Sequence, residues 1–120
     1  NGFIRPVRGI ITQGPHHQYK GIDIGAPKGT PVRATASGKV IAAKSGYNGG
    51  YGNMVIISHS DGTQSLYAHL SALSVSSGQS VDQGQEIGKV GSTGKSTGNH
   101  LHFEIRGATA RAYAVAKLKY

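Results

Sequence analysis

Glycine punctuation constrains this chain more than any other feature of its sequence. Nineteen of its 120 residues are glycine, and they divide it into apolar runs too short for ordinary helices. Residues 9–12, 31–34, 39–43, 54–58, 64–70, 87–90 and 100–106 read as strands, with Val81 in a short flanking piece. Asp61-Gly62 is a strong hairpin turn signal between two of them. A turn at Ser37-Gly38 is expected to join the strands before and after it, and Gly84 to centre another small hairpin. Strands with turn signals about every ten residues predict an all-β fold, a small antiparallel β-sandwich or barrel-sandwich core built from hairpins. The tail, residues 108–120, is alanine-rich and lacks glycine and proline, so its composition favours a short C-terminal helix. Length and continuity predict a single domain over 1–120, with its core at about 5–107.

Composition narrows the chemistry. The net charge is +8, with only Asp23, Asp61, Asp82, Glu86 and Glu104 acidic. Such a surface attracts polyanions. The lysines and arginines are dispersed, and no recognition helix or aromatic–basic interleaving occurs, so nucleic acid is not the expected partner. There is no cysteine, which excludes disulfides and thiolate metal sites. No stretch approaches the ~20 apolar residues of a membrane helix. No signal peptide opens the chain, and in a mature or excised fragment that does not place it in the cytoplasm.

Two tempting motifs fail. Gly94-Lys95-Ser96 suggests a phosphate loop, but Lys89 stands where the first glycine belongs and the segment precedes a strand. Ser92 and Ser96 lack the G-x-S-x-G elbow of a serine hydrolase.

His100-Leu101-His102 carries more. On a strand, His100 and His102 share one face and Leu101 and Phe103 the other. Two imidazoles side by side suit metal ligation or general-base work. Asp23 and His69, also in strand-like settings, are candidates to join them. Glu104 shares the face of His102, as a partner for a ring N–H or for Arg106. His59, at a strand end, reads as structural.

With those residues in place, the chain resembles the lysostaphin-type (LytM-like) zinc endopeptidases of bacterial cell walls. The resemblance rests on Gly21-Ile22-Asp23-Ile24-Gly25-Ala26-Pro27, Gly29-Thr30-Pro31-Val32, Gly49-Gly50-Tyr51-Gly52-Asn53, Tyr67-Ala68-His69-Leu70, Gly91-Ser92-Thr93-Gly94 and Gly98-Asn99-His100-Leu101-His102-Phe103-Glu104. It implies an antiparallel β core with a groove holding one zinc ion, and hydrolysis of peptide bonds in peptidoglycan stems or cross-bridges outside the cytoplasm. By the family pattern Asp23 and His102 are zinc ligands, and His69 and His100 activate the attacking water and stabilise the oxyanion. Tyr47, Asn48 and Tyr51, in a glycine loop, are candidates for lining the substrate groove, with loop filler the plain alternative. One position departs from the pattern. The family's first ligand is a histidine four residues before the aspartate, and here that residue is Tyr19. Tyr19 as a phenolate, or His17 or His16 from the same segment, would have to supply the third donor. Otherwise the chain is an inactive relative that binds anionic wall polymer or regulates another hydrolase.

Overall fold

The computed structural model describes residues 2–13, 21–96, 98–107, 115 and 118. The expected C-terminal helix, the His16-His17 pair and Tyr19 lie outside these, apart from Val115 and Leu118. The described chain is almost entirely β-structure. Its strands are β1 (Ile10–Gln13), β2 (Gly21–Gly25), β3 (Pro31–Arg33), β4 (Gly38–Lys44), β5 (Asn53–Ser58), β6 (Gln64–Leu73), β7 (Ser80–Val81), β8 (Glu86–Val90) and β9 (His100–Arg106). A single 3-10 turn occupies Asn48–Gly50.

All nine strands belong to one antiparallel sheet with the order β1-β2-β9-β6-β5-β4-β7. The sheet branches, because β8 pairs with both β3 and β6. The Asp61-Gly62 turn joins β5 to β6 as expected. The hairpin expected at Gly84 does not form, and the turn before β4 joins strands that do not pair with each other. The strands flanking Ser37-Gly38 are consecutive but unpaired: β3 lies on β8, and β4 lies between β5 and β7. Likewise β7 and β8 flank Gly84 without pairing. The turn at 82–85 pairs with Ala34 instead, with Gly84 N donating to Ala34 O and Ala34 N to Gln85 O. A local turn signal reports a reversal, and the partner is chosen by non-local apolar contacts.

β6 organises the sheet. One of its edges carries β5; the other carries β9 along residues 64–68 and then β8 along residues 70–73. The strand changes partner at His69. Asn53 and Val55 are two positions apart on β5, whereas their partners on β6, Leu70 and Tyr67, are three apart. An extra residue is therefore bulged out of β6 between them. His69 sits in that bulge with φ of 62°, in the left-handed region that non-glycine residues seldom adopt.

Period-two burial follows from the pairing. Leu101, Phe103 and Ile105 of β9 are fully buried, together with Ile22 and Ile24 of β2, Val55 and Ile57 of β5, and Tyr67 and Leu70 of β6. Each such side chain contributes ~1.5–3 kcal/mol of transfer free energy relative to exposure. Met54, Leu66 and Ala68 form a smaller cluster separate from that core, with Tyr51 and Ile56 packed against it. Residues paired across an antiparallel sheet share a face. Asp23 pairs with His102, and His102 with Ala68, so one row of the sheet carries all three. The next row carries Gly21, Glu104 and Leu66.

A buried polar chain crosses the core away from these rows. His59 Nδ1 donates to Ser37 O at 2.8 Å, which leaves Nε2 to accept from Ser65 Oγ at 2.8 Å. Ser65 Oγ then accepts from the Tyr67 hydroxyl at 2.7 Å, and Tyr67 accepts from Thr35 N at 3.0 Å. Every hydrogen in the chain has one direction. His59 is structural, as its sequence position suggested.

Candidate active site

The row of Asp23 and His102 is the floor of the site. Asp23 Oδ1 lies 2.9 Å from His102 Nδ1 and 3.7 Å from His100 Nε2. The His69 ring packs 4.9 Å from that of His100 and 6.1 Å from that of His102, centroid to centroid. The four residues marked out in the sequence therefore converge.

Alternation alone would not have brought His69 here. Ala68 is on the site face, so an unbroken strand would turn His69 toward the core beside Tyr67. The bulge re-aims it, and Leu70 returns to the core one residue later. The loops finish the placement. His69 N donates to Tyr51 O at 2.8 Å, and His69 Nδ1 lies 2.7 Å from Thr93 O. A carbonyl only accepts, so Nδ1 carries the hydrogen and Nε2 keeps a lone pair. Burial lowers the pKa of His69, outweighing the backbone hydrogen bond that raises it. His69 is thus a neutral imidazole with a basic nitrogen at neutral pH, the requirement for a general base.

His100 is oriented in the same way. Its Nδ1 donates to Gly98 O at 3.0 Å, which leaves Nε2 on the side of Asp23. His102 differs, with a carboxylate at each ring nitrogen: Asp23 at Nδ1, and Glu104 Oε2 2.8 Å from Nε2. Burial opposes protonation of His102, yet the hydrogen bonds and charges of the two carboxylates together push its pKa up to about 9. Burial also resists ionisation of Glu104, but His102 and Arg106 outweigh it and hold its carboxyl below the usual range.

The loops at 45–52 and 91–96 form the walls. They meet at two glycines, Gly52 (φ 68°) and Gly94 (φ 73°). A Cβ on Gly94 would stand 2.3 Å from Gly52 N and 2.5 Å from Gly50 O. Lys95 N donates to Gly50 O at 2.8 Å. A cavity of about 510 Å³ opens among Gly49, Gly50, Tyr51, His69, Lys95, His102 and Glu104. Another of about 600 Å³ lies on the Tyr47, Asp23 and His100 side. His69, Lys95 and His102 border both, so the groove runs over the imidazoles.

The loop candidates separate. Tyr47 is exposed and lines the second cavity. The Tyr51 ring lines the first, while its hydroxyl is committed to Glu104 at 3.1 Å. Asn48 lines neither of the two; its amide donates to Lys44 O, Ser45 O and Gly52 O and holds the loop in shape. Lys95 was not singled out as a site residue in the sequence. Its only signal there was a failed phosphate-loop motif.

His102 Nδ1–H donates to Asp23 Oδ1 at 2.9 Å, and without that hydrogen both atoms could turn a lone pair on a cation. Oxygen and imidazole nitrogen are donors that zinc takes. The donor set thus fits zinc as far as two ligands. Among the described residues no group of three histidine, aspartate or glutamate side chains is gathered to hold a metal.

Residues 17–114 match Peptidase family M23. The chain belongs to that family. It is 59% identical over 88 residues to the DD-carboxypeptidase/endopeptidase Mpg of Neisseria meningitidis serogroup B, covering 73% of this chain and 20% of Mpg. The catalytic domain of the antimicrobial peptidase lysostaphin from Staphylococcus simulans superposes with a TM-score of 0.68 at 36% identity, covering 93% of this chain and 83% of that one. A zinc-containing peptidase from Vibrio cholerae superposes with a TM-score of 0.78 at 36% identity, covering 88% of this chain and 36% of that one. The expected lysostaphin-type, all-β architecture is therefore the one found. The chain spans about a fifth of the length of the curated relative Mpg.

Proposed function

We propose that this M23 domain is a peptidoglycan-directed zinc metalloendopeptidase acting outside the cytoplasm. The observation that carries the reading is the convergence of Asp23, His69, His100 and His102 on one groove, with His69 re-aimed by a bulge. Asp23 and His102 would hold the zinc through Oδ1 and Nδ1. Tyr19 in the family register, or His17 near it, would supply a third donor. When bound, zinc acts as a Lewis acid on the scissile carbonyl and lowers the pKa of water to ~7. His69 Nε2 takes the proton from the attacking water and delivers it to the leaving amine. His100 would stabilise charge developing on the carbonyl oxygen. The groove walls at Tyr47, Tyr51 and Lys95 orient the peptide. The net charge of +8 favours a substrate embedded in anionic wall polymer.

Metal analysis of the dialysed protein, paired with digestion of purified peptidoglycan, tests this reading. The expected result is bound zinc and cleaved stems or cross-bridges. Protein without zinc, leaving the polymer intact, would overturn it.

Tyr19 favours a second reading, a wall-binding or hydrolase-regulating module that works without metal. A phenol must lose a proton with pKa ~10 before it competes with imidazole as a ligand. This reading expects chelator-treated protein to retain its binding to isolated walls.

A further inference from the structure

We propose that Glu104 is the positioning residue of this site, fixing which ring nitrogen of His102 faces Asp23. The inference rests on the metal-site reading above. Glu104 is only 3% exposed, in the middle of β9. Burying a carboxylate is costly unless its oxygens are fully hydrogen-bonded. Here they are well supplied. Oε2 accepts from His102 Nε2 at 2.8 Å and from the Tyr51 hydroxyl at 3.1 Å. Oε1 accepts from Arg106 Nε at 3.1 Å. Arg106 Nη2 also donates to the Tyr51 oxygen at 3.3 Å, which commits the phenol hydrogen to Glu104.

This arrangement has a consequence for the imidazole. A ring rotated by half a turn about its Cβ–Cγ bond would present Cδ2 to Asp23 and lose both carboxylate contacts. Glu104 penalises that rotamer, keeps the hydrogen on Nε2 and leaves Nδ1 as the nitrogen directed at Asp23. Gly21, opposite Glu104, makes the space: a Cβ there would stand 2.9 Å from His102 Cε1 and 3.0 Å from Glu104 Cγ. Tyr51 lines the substrate-side cavity, so the same carboxylate ties the cavity wall to the ring that it orients.

A purely structural role for Glu104, as the partner of Arg106, makes different predictions. The experiment compares wild type, Glu104→Gln, Glu104→Leu and Arg106→Gln after chelator stripping. Zinc affinity is read by competition with a chromogenic chelator, and the His102 ring nitrogens by long-range 15N spectra. Glu104→Leu is expected to weaken zinc binding about 10–100-fold. Glu104→Gln, whose amide oxygen still accepts from Nε2–H, should restore most of the loss. Arg106→Gln should lower thermal stability and cost far less zinc affinity than Glu104→Leu. The zinc-loaded wild type should show Nε2 protonated and Nδ1 without hydrogen, a readout that stands even if Glu104→Leu does not fold.

Zinc binding unaffected by Glu104→Leu, equal losses in Glu104→Leu and Arg106→Gln, or a loaded ring protonated at Nδ1 would each overturn the proposal. In stripped protein, a protected Nε2–H resonance should be present in wild type and absent in Glu104→Leu. A wild type that shows this resonance yet takes up no zinc would refute the metal reading and leave the positioning role standing.

Discussion

Ala68 and His69 are neighbours on β6, yet both face the groove side of the sheet. Ala68 does so by register, through its pairing with His102, and His69 by the bulge that adds a residue to the strand. The position therefore needs a left-handed backbone as well as an imidazole. His69→Gly is expected to keep the fold and lose ~10²–10⁴-fold in peptidase rate. His69→Val, which cannot adopt φ of 62° without strain, should lose a further ~1–3 kcal/mol of stability. Urea denaturation beside a peptidoglycan-cleavage assay separates the two; a valine variant as stable as the glycine variant would refute the strain argument.

His102→Ala should remove zinc and activity together, whereas the glycine variant of His69 should retain its zinc. Equal metal loss in both would show that the roles of ligand and base have been misassigned.

The pH dependence has two expected parts. His69 has its pKa lowered by burial, so the acid limb of kcat/KM should fall below its ordinary value near 6.5. A pH–rate profile with that limb above 7 would contradict the assignment of His69 as base. In chelator-stripped protein, His102 is the dominant contributor at higher pH. Its folded pKa, about 9, exceeds its unfolded value near 6.5. The stabilisation is fully present below ~6.5 and is lost as pH rises through about 9. The urea midpoint should therefore decline across that interval, and a flat midpoint would count against the Asp23–His102–Glu104 pairing.

Gly94→Ala tests the junction of the walls. The new methyl group would meet the backbone of residues 50 and 52 well inside contact distance, at a φ that penalises alanine. The variant should open the 91–96 loop away from the 45–52 loop, raising KM more than it lowers kcat. Unchanged KM would mean that the walls do not hold the peptide.

Tyr19→His should raise zinc affinity and create or increase peptidase activity, because imidazole offers a neutral donor at pH 7. If His17 already completes the site, that change will do little and His17→Ala will abolish binding. If wild type and both variants take up no zinc and cleave nothing, the non-enzymatic reading replaces the enzymatic one.

Much of this site was legible before any coordinates. Alternation placed His100 and His102 on one face of β9 and Leu101 and Phe103 in the core, since period two is a property of the strand alone. Asp61-Gly62 announced its hairpin because the turn is local. The pairings of β3 with β8 and β4 with β7 were not legible, because they are chosen by contacts between residues far apart in sequence. The bulge at His69 was hidden for a related reason: it becomes an extra residue only when β5 is laid beside β6. Asn48 read as a groove residue, yet its amide serves the loop's own carbonyls. Glu104 showed two candidate partners in the sequence, His102 and Arg106, and the structure gives it both.

The branching of the sheet at β6 puts the site where paired ladders and loops meet. Asp23, His69, His100 and His102 stand on β2, β6 and β9, adjacent strands whose registers lock one another. The walls hang from the β4–β5 and β8–β9 connections, and both reach back to the site, through Tyr51 O on His69 N and Thr93 O on His69 Nδ1. A change in either loop thus acts on the general-base candidate as well as on the groove wall. A graft of residues 45–52 from one relative to another would therefore keep the imidazoles in place only where it retains Tyr51, whose carbonyl holds His69 and whose hydroxyl holds Glu104.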